Sequence, residues 1–172
     1  MLQDEVADRV AQMQHSHGTW PCAAGCDQCC RRLGALPLVT QTEFDPLWAA
    51  IEALPDAEAV IAAIGSATPD AHGHWTCPLL DPVSGRCRVY DVRPIACRTY
   101  GFYGGRDGDY WCEQVTAHVG ERRNTLIAGN QVAVDRHRDT VFGPSVDLAL
   151  RVRDARATSV EEDPCTTRSP PT

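Results

Sequence analysis

The chain has no lysine. Its 16 basic residues are all arginine, spread without a long run, and 23 acidic residues bring the formal net charge to −7. A nucleic-acid partner is therefore not expected, because neutralising phosphates takes a basic surface patch. Nor does any stretch approach the roughly 18 uninterrupted apolar residues that a membrane-spanning helix needs. The first residues, MLQDEVADRVAQMQHSHG, are acidic and amphipathic, without the basic region and apolar core of a secretion signal. A cytoplasmic location is expected by elimination, and there thiols stay reduced. H-E-x-x-H, a phosphate loop, a G-x-G-x-x-G dinucleotide signature and a Ser/His/Asp order are missing too, so no motif points to a specific reaction.

What the chain does have is cysteine, nine in 172 residues. Eight fall into two groups. Cys22, Cys26, Cys29 and Cys30 form C-x3-C-x2-C-C, and Cys77, Cys87, Cys97 and Cys112 are spread through a stretch punctuated by glycine and proline. Buried free cysteine normally occurs singly, so thiols this close either oxidise in pairs or share a soft cation. A disulfide framework fits poorly with a reducing compartment, and the adjacent Cys29 and Cys30 rarely make an unstrained bridge with each other. A shared metal is the favoured reading. Cys165 sits in a polar Pro/Ser/Thr-rich tail and is treated as a bystander.

With 43% hydrophobic residues, the chain can bury a core of its own. The expected fold is mainly α, one small helical domain with a short β-hairpin and irregular Cys-rich loops around a metal centre. Residues 1–153 form that domain and 154–172 a disordered tail. Val6, Val10 and Met13 mark a first helix from Leu2 to about Gln14. The first cysteine group starts a short helix that carries its thiols on successive turns. Thr40 or Thr42 caps a helix reaching Leu54, and Asp56 opens another that closes at Gly65. Two short runs, Trp75–Leu80 and Arg86–Tyr90, form the hairpin, with Cys77 facing Cys87. Asp91 caps a short helix over Val92–Arg98, with Pro94 in its first turn. A longer helix begins near Asp109, carries Cys112 in its first turn, and turns Val115, Val119, Leu126 and Ile127 to the core. A last helix covers Ser145–Arg153.

The order of these blocks resembles a known family. Cys22-x3-Cys26-x2-Cys29-Cys30 is followed by Cys77-Pro78-Leu79-Leu80, then Gly85, Cys87, Val89, Tyr90, Arg93, Pro94, Cys97, Arg98 and Cys112. The pattern is similar to the CxxCxxCC zinc- or iron-chelating proteins, the YkgJ-type cysteine cluster family, over roughly residues 20 to 115. It departs at one step, with three residues rather than two between Cys22 and Cys26. The resemblance implies metal chelation through all eight cysteines of the two groups. A flagellin lysine methylase carries a similar cluster, so an enzyme that modifies a protein or peptide side chain is the alternative. A thiol–disulfide redox protein is the second alternative.

Zinc and iron both remain open. Zinc takes closed tetrathiolate sites from closely spaced pairs. Iron–sulfur clusters also take four thiolates, and the gaps of nine, nine and fourteen residues in the second group suit a cluster nested between irregular elements better than a zinc knuckle. That leans the reading toward iron–sulfur. Cys22, Cys26 and Cys29 also match the spacing of radical-SAM enzymes, yet the chain is too short for their barrel. Around the thiols, Arg93 and Arg98 either offset the negative charge of a tetrathiolate or bind an anionic ligand. Alternatively Arg93 pairs with Asp91. Tyr90 reads as a packed aromatic, and one of His15, His17, His72 and His74 could complete a three-thiolate site. Tyr100, Phe102, Tyr103 and Trp111 shield the metal from water, and Gly104–Asp109 is a loop or a lid.

Overall fold

The computed structural model describes residues 2–17, 20–105, 112–120 and 129–161. Among them the chain is mainly helical, with eight α-helices and two sheets of two short strands each. Helix α1, Leu2–His17, buries Val6 and Met13 and runs through His15 and His17 instead of stopping near Gln14. Helix α2 is the single turn Gln28–Arg31, and β1 is Leu38–Val39. Helices α3, Gln41–Glu52, and α4, Ala57–Gly65, follow as expected.

The start of α3 is over-determined. The Thr40 hydroxyl accepts from the Glu43 amide at 3.3 Å while the Glu43 carboxylate accepts from the Thr40 amide at 3.0 Å. This reciprocal capping satisfies two donors that a helix otherwise leaves orphaned. Glu43 is only 1% exposed, and its second oxygen accepts from the Ile95 amide at 2.8 Å. One buried carboxylate therefore joins the starts of α3 and α5, Ile95–Thr99, a helix with no side-chain cap of its own.

Helix α5 begins three residues later than the sequence suggested. Tyr90–Val92 is a single 3-10 turn, and Pro94 stands at the cap. Proline excludes the helical region for the residue before it, and Arg93 accordingly has ψ 139°. Strand β2 is Tyr103–Gly104, and helix α6, Glu113–Val119, is capped by Cys112 and closed at Gly120 with φ 51°. The longer helix expected from Asp109 is thus cut at Gly120; Asp109, Leu126 and Ile127 lie outside the described residues.

Strand β3, Gly129–Asn130, pairs in parallel with β2, and α7, Gln131–Phe142, follows it directly. No periodicity announced α7, because its buried residues are Gln131 and Arg138 rather than an apolar stripe. Arg138, 2% exposed, is held by Asp135 at 3.2 Å, Asp139 at 2.9 Å and the Ser145 hydroxyl at 2.9 Å. The segment expected as one helix over Ser145–Arg153 instead opens with β4, Val146–Asp147, antiparallel to β1. Asp147 then accepts from the Ala149 amide and starts α8, Leu148–Glu161, which runs past Arg153. Cys165 lies outside the described residues. No helix among the described residues is long and apolar enough to cross a membrane.

Two cores result. One gathers Phe44, Leu47, Ile51, Val60, Ile64, Leu148 and Val152 from α3, α4 and α8, together with Leu79, Leu80 and Val89. The other gathers Val6, Met13, Ile95, Phe102, Val115 and Val119 from α1, α5, α6 and the loop before β2, with Trp20 from the segment between α1 and α2. Cysteines belong to both: Cys77 to the first, Cys112 to the second.

Candidate metal centre

The two cysteine groups are stitched together by backbone. Leu33 and Trp75 form an antiparallel bridge with bonds of 3.0 and 2.8 Å, and the Cys77 amide donates to the Cys30 carbonyl at 2.7 Å. The first group is not one helix. Only Cys29 and Cys30 lie in α2; Cys22 and Cys26 occupy a turn that passes through Gly25 at φ 95°, a conformation that glycine enters freely. The hairpin contracts to one bridge, Leu80 to Cys87, around a turn whose Asp81 carboxylate accepts from the Val83 amide and the Ser84 hydroxyl. Cys87 therefore stands opposite Leu80, while Cys77 pairs with Cys30. Gly85, at φ 68°, packs this turn onto the first group: a Cβ there would lie 3.3 Å from an Asp27 carboxylate oxygen.

All eight described cysteines are free thiols. Cys22, Cys26, Cys29, Cys30, Cys77, Cys87 and Cys97 line one cavity of about 420 Å3, with Tyr90, Arg93 and Arg98 also on its wall. A groove of about 140 Å3 carries Cys112 and, again, Cys29, beside Tyr100, His74 and Glu113. The sulfurs of Cys29 and Cys30 are 3.9 Å apart. Among the described residues, no three His, Cys, Asp or Glu side chains yet stand in ligand geometry. The fit of the donor set rests on its chemistry, thiols converging from two distant segments, which suits soft and borderline cations.

Electrostatics describe the same convergence. Burial, then Cys29, Cys26 and Cys112, push the Cys22 thiol from 9.0 up to about 12. Burial, then Cys30, Cys29 and Cys87, push Cys97 to about 12. Cys30 is lowered by its hydrogen bond with Cys29, but its bond with Cys77 and burial outweigh this and leave it at about 12. The other end of the Cys29–Cys30 bond, then burial, raises Cys29, and burial raises Cys87. These thiols hold their protons at neutral pH until a cation takes their place.

Arg93 is the charge that acts on them, lowering Cys22, Cys29, Cys87 and Cys97. Its guanidinium lies 3.5 Å from the Tyr90 ring centroid and its Nε donates to the Tyr90 carbonyl at 3.0 Å. Stacking on that ring orients it, and no ion pair joins it to Asp91 among the described residues. Arg98 has a bracing role: it donates to the Arg93 carbonyl at 2.7 Å and to the Asp91 carbonyl.

Of the candidate histidines His15, His17, His72 and His74, His74 alone lines the groove; Asp70 fixes its loop by accepting from the His72 and His74 amides. Tyr100 borders both spaces, and its hydroxyl is raised to about 12 by burial and then by Cys112, Cys29 and Cys22. Phe102 and Tyr103 are buried in the second core, whereas Trp111 and residues 106–109 lie outside the described residues.

Contacts at Gly101 and at Gln114 were not foreseen. Gly101, read from sequence as part of a flexible loop, has φ 80°, and a Cβ there would come within 3.1 Å of the Cys22 sulfur. The Trp20 indole donates to its carbonyl at 3.1 Å. Gln114 accepts from Cys26 at 3.7 Å. A glycine following Tyr100 was the available signal for the first; nothing local marked the second.

The family model CxxCxxCC, a putative zinc- or iron-chelating domain, matches residues 21–119. No curated protein and no solved structure matches the chain.

Proposed function

The chain belongs to the CxxCxxCC family, and from that premise we propose that it is a metal-binding protein holding zinc, or iron as an iron–sulfur cluster. Its ligands are drawn from Cys22, Cys26, Cys29, Cys30, Cys77, Cys87, Cys97 and Cys112. The observation that carries this reading is the one cavity that seven of those thiols, from segments far apart in sequence, line together. A bound thiophilic cation supplies the positive charge that these crowded sulfurs otherwise take from protons. Arg93 offsets part of the remaining negative charge, and Tyr100 and Phe102 limit water on the side of the second core. Free thiols of this kind persist in a reducing compartment, and a cytoplasmic location is part of this proposal.

The raised thiols run against a thiol–disulfide function, which depends on a lowered cysteine pKa. The size of the cavity favours an enzyme as the second reading. About 420 Å3 falls in the range of small-ligand pockets, so a protein or peptide side chain could reach a metal held there. Anaerobic purification with iron, sulfide and zinc quantified, alongside a visible spectrum, tests the proposal. Brown protein with stoichiometric sulfide assigns iron–sulfur, and colourless protein with about two zinc per chain assigns tetrathiolate zinc. Protein free of both metals refutes metal binding.

A further inference from the structure

We propose that the eight thiols form two four-sulfur sites, each crossing the two sequence motifs. The inner site is Cys30, Cys77, Cys87 and Cys97; the outer site is Cys22, Cys26, Cys29 and Cys112. This rests on the metal-binding reading and goes beyond it, since three other arrangements would satisfy that reading equally: one site per motif, one shared centre, or one site with spare thiols.

The two cores supply the first argument. Cys77, with the partly buried Cys30 and Cys87, packs in the core of α3, α4 and α8. Cys112, with the partly buried Cys22, packs in the core of α1, α5 and α6. The motifs are thus exchanged: each core takes cysteines from both.

Tethering supplies the second. On the inner side, the Cys77 amide bonds to Cys30, the Leu80 amide bonds to Cys77 at 3.0 Å, and Leu80 bridges to Cys87. On the outer side, Cys26 donates to Gln114, two residues beyond Cys112, and Cys22 donates to the Tyr100 carbonyl at 3.5 Å. Tyr100 in turn borders the groove with Cys112.

The third argument is the helix turn that divides the motif between Cys29 and Cys30. Neighbouring helical side chains point about 100° apart, so adjacent residues in α2 naturally address different places. Cys29 lines both the cavity and the groove, whereas Cys30 lines only the cavity. Their 3.9 Å sulfur contact makes the two sites neighbours. Cys97, on α5, lines the cavity together with Cys30, Cys77 and Cys87. Each set is suited to one thiophilic centre, a zinc ion or iron.

The test uses the full chain loaded with zinc. Chelator is added in steps, and thiols freed at each step are alkylated and located by mass spectrometry. Two sets of four are expected to be freed together, Cys22/Cys26/Cys29/Cys112 and Cys30/Cys77/Cys87/Cys97. Release of all eight in one step, or in sets that follow the motifs, overturns the proposal. Variants give a second reading. Cys22→Ser and Cys112→Ser should each halve bound zinc, the double variant should lose no more than either, and Cys22→Ser with Cys77→Ser should lose all of it. Equal losses from every pairing contradict two sites. A wild-type chain that binds neither zinc nor iron removes the metal-binding reading itself, a result distinct from metal bound in another partition.

Discussion

The two halves of the molecule are built differently. The half formed by α3, α4 and α8 has a reciprocal helix cap and an apolar core in which Leu47, Ile51, Ile64 and Leu148 are fully buried. The half formed by α1, α5 and α6 joins one 16-residue helix to a five-residue and a seven-residue helix, with Gly101 at positive φ letting the backbone approach the Cys22 thiol. The first half can stand on hydrophobic burial. The second has the smaller buried core, so metal should matter more to it.

Truncation in the first core should have the largest effect on stability. Ile51→Ala is expected to cost about 2–5 kcal/mol, as for a buried aliphatic that leaves a cavity, measured by denaturant unfolding of the metal-loaded protein. An equal loss from Val119→Ala with and without metal would erase the contrast between the halves.

Glu43 links them. Glu43→Ala leaves the Thr40 and Ile95 amides without their acceptor, and each buried orphan costs about 1–3 kcal/mol. Because Ile95 begins the helix that carries Cys97, the variant should also bind metal more weakly, read by competition with a chromophoric chelator. Unchanged affinity would mean that α5 is held by other contacts.

Gly101→Ala tests the second half alone. Its positive φ costs a non-glycine residue about 1–2 kcal/mol, and the added methyl meets the Cys22 sulfur. A modest loss of stability with a larger relative loss of metal is the expected signature.

The metal-free protein should also weaken in alkali. An unfolded thiol releases its proton near 9.0, whereas Cys22, Cys30 and Cys97 hold theirs to about 12 when folded. Between those values the unfolded chain binds fewer protons than the folded one, so stability falls as pH rises. The loaded protein has no such thiol protons to lose, and its melting temperature should fall less across that window.

Part of this was legible in the residues. Thr40 or Thr42 marks the start of α3, where Thr40 does cap, and Asp56 to Gly65 brackets α4, although the Asp56 carboxylate pairs with Arg88 instead of capping. The cysteine spacing and the Arg-Pro-x-x-Cys-Arg block identified the family. What escaped is long-range or polar. Helix α7 buries Gln131 through a hydrogen bond to Asp135 and Arg138 through ion pairs, so no apolar period betrays it. The pairing of Cys77 with Cys30 depends on a backbone bond between segments far apart in sequence. Arg93 next to Pro94 carried the information that α5 starts late, in the steric rule that a residue before proline avoids the helical region.

Metal content of anaerobically purified protein, measured beside Cys26→Ser and Cys97→Ser, tests the central claim most directly. One residue comes from each motif. The account predicts zinc or iron in the parent chain and a clear loss in both variants. Full loading in both would contradict it.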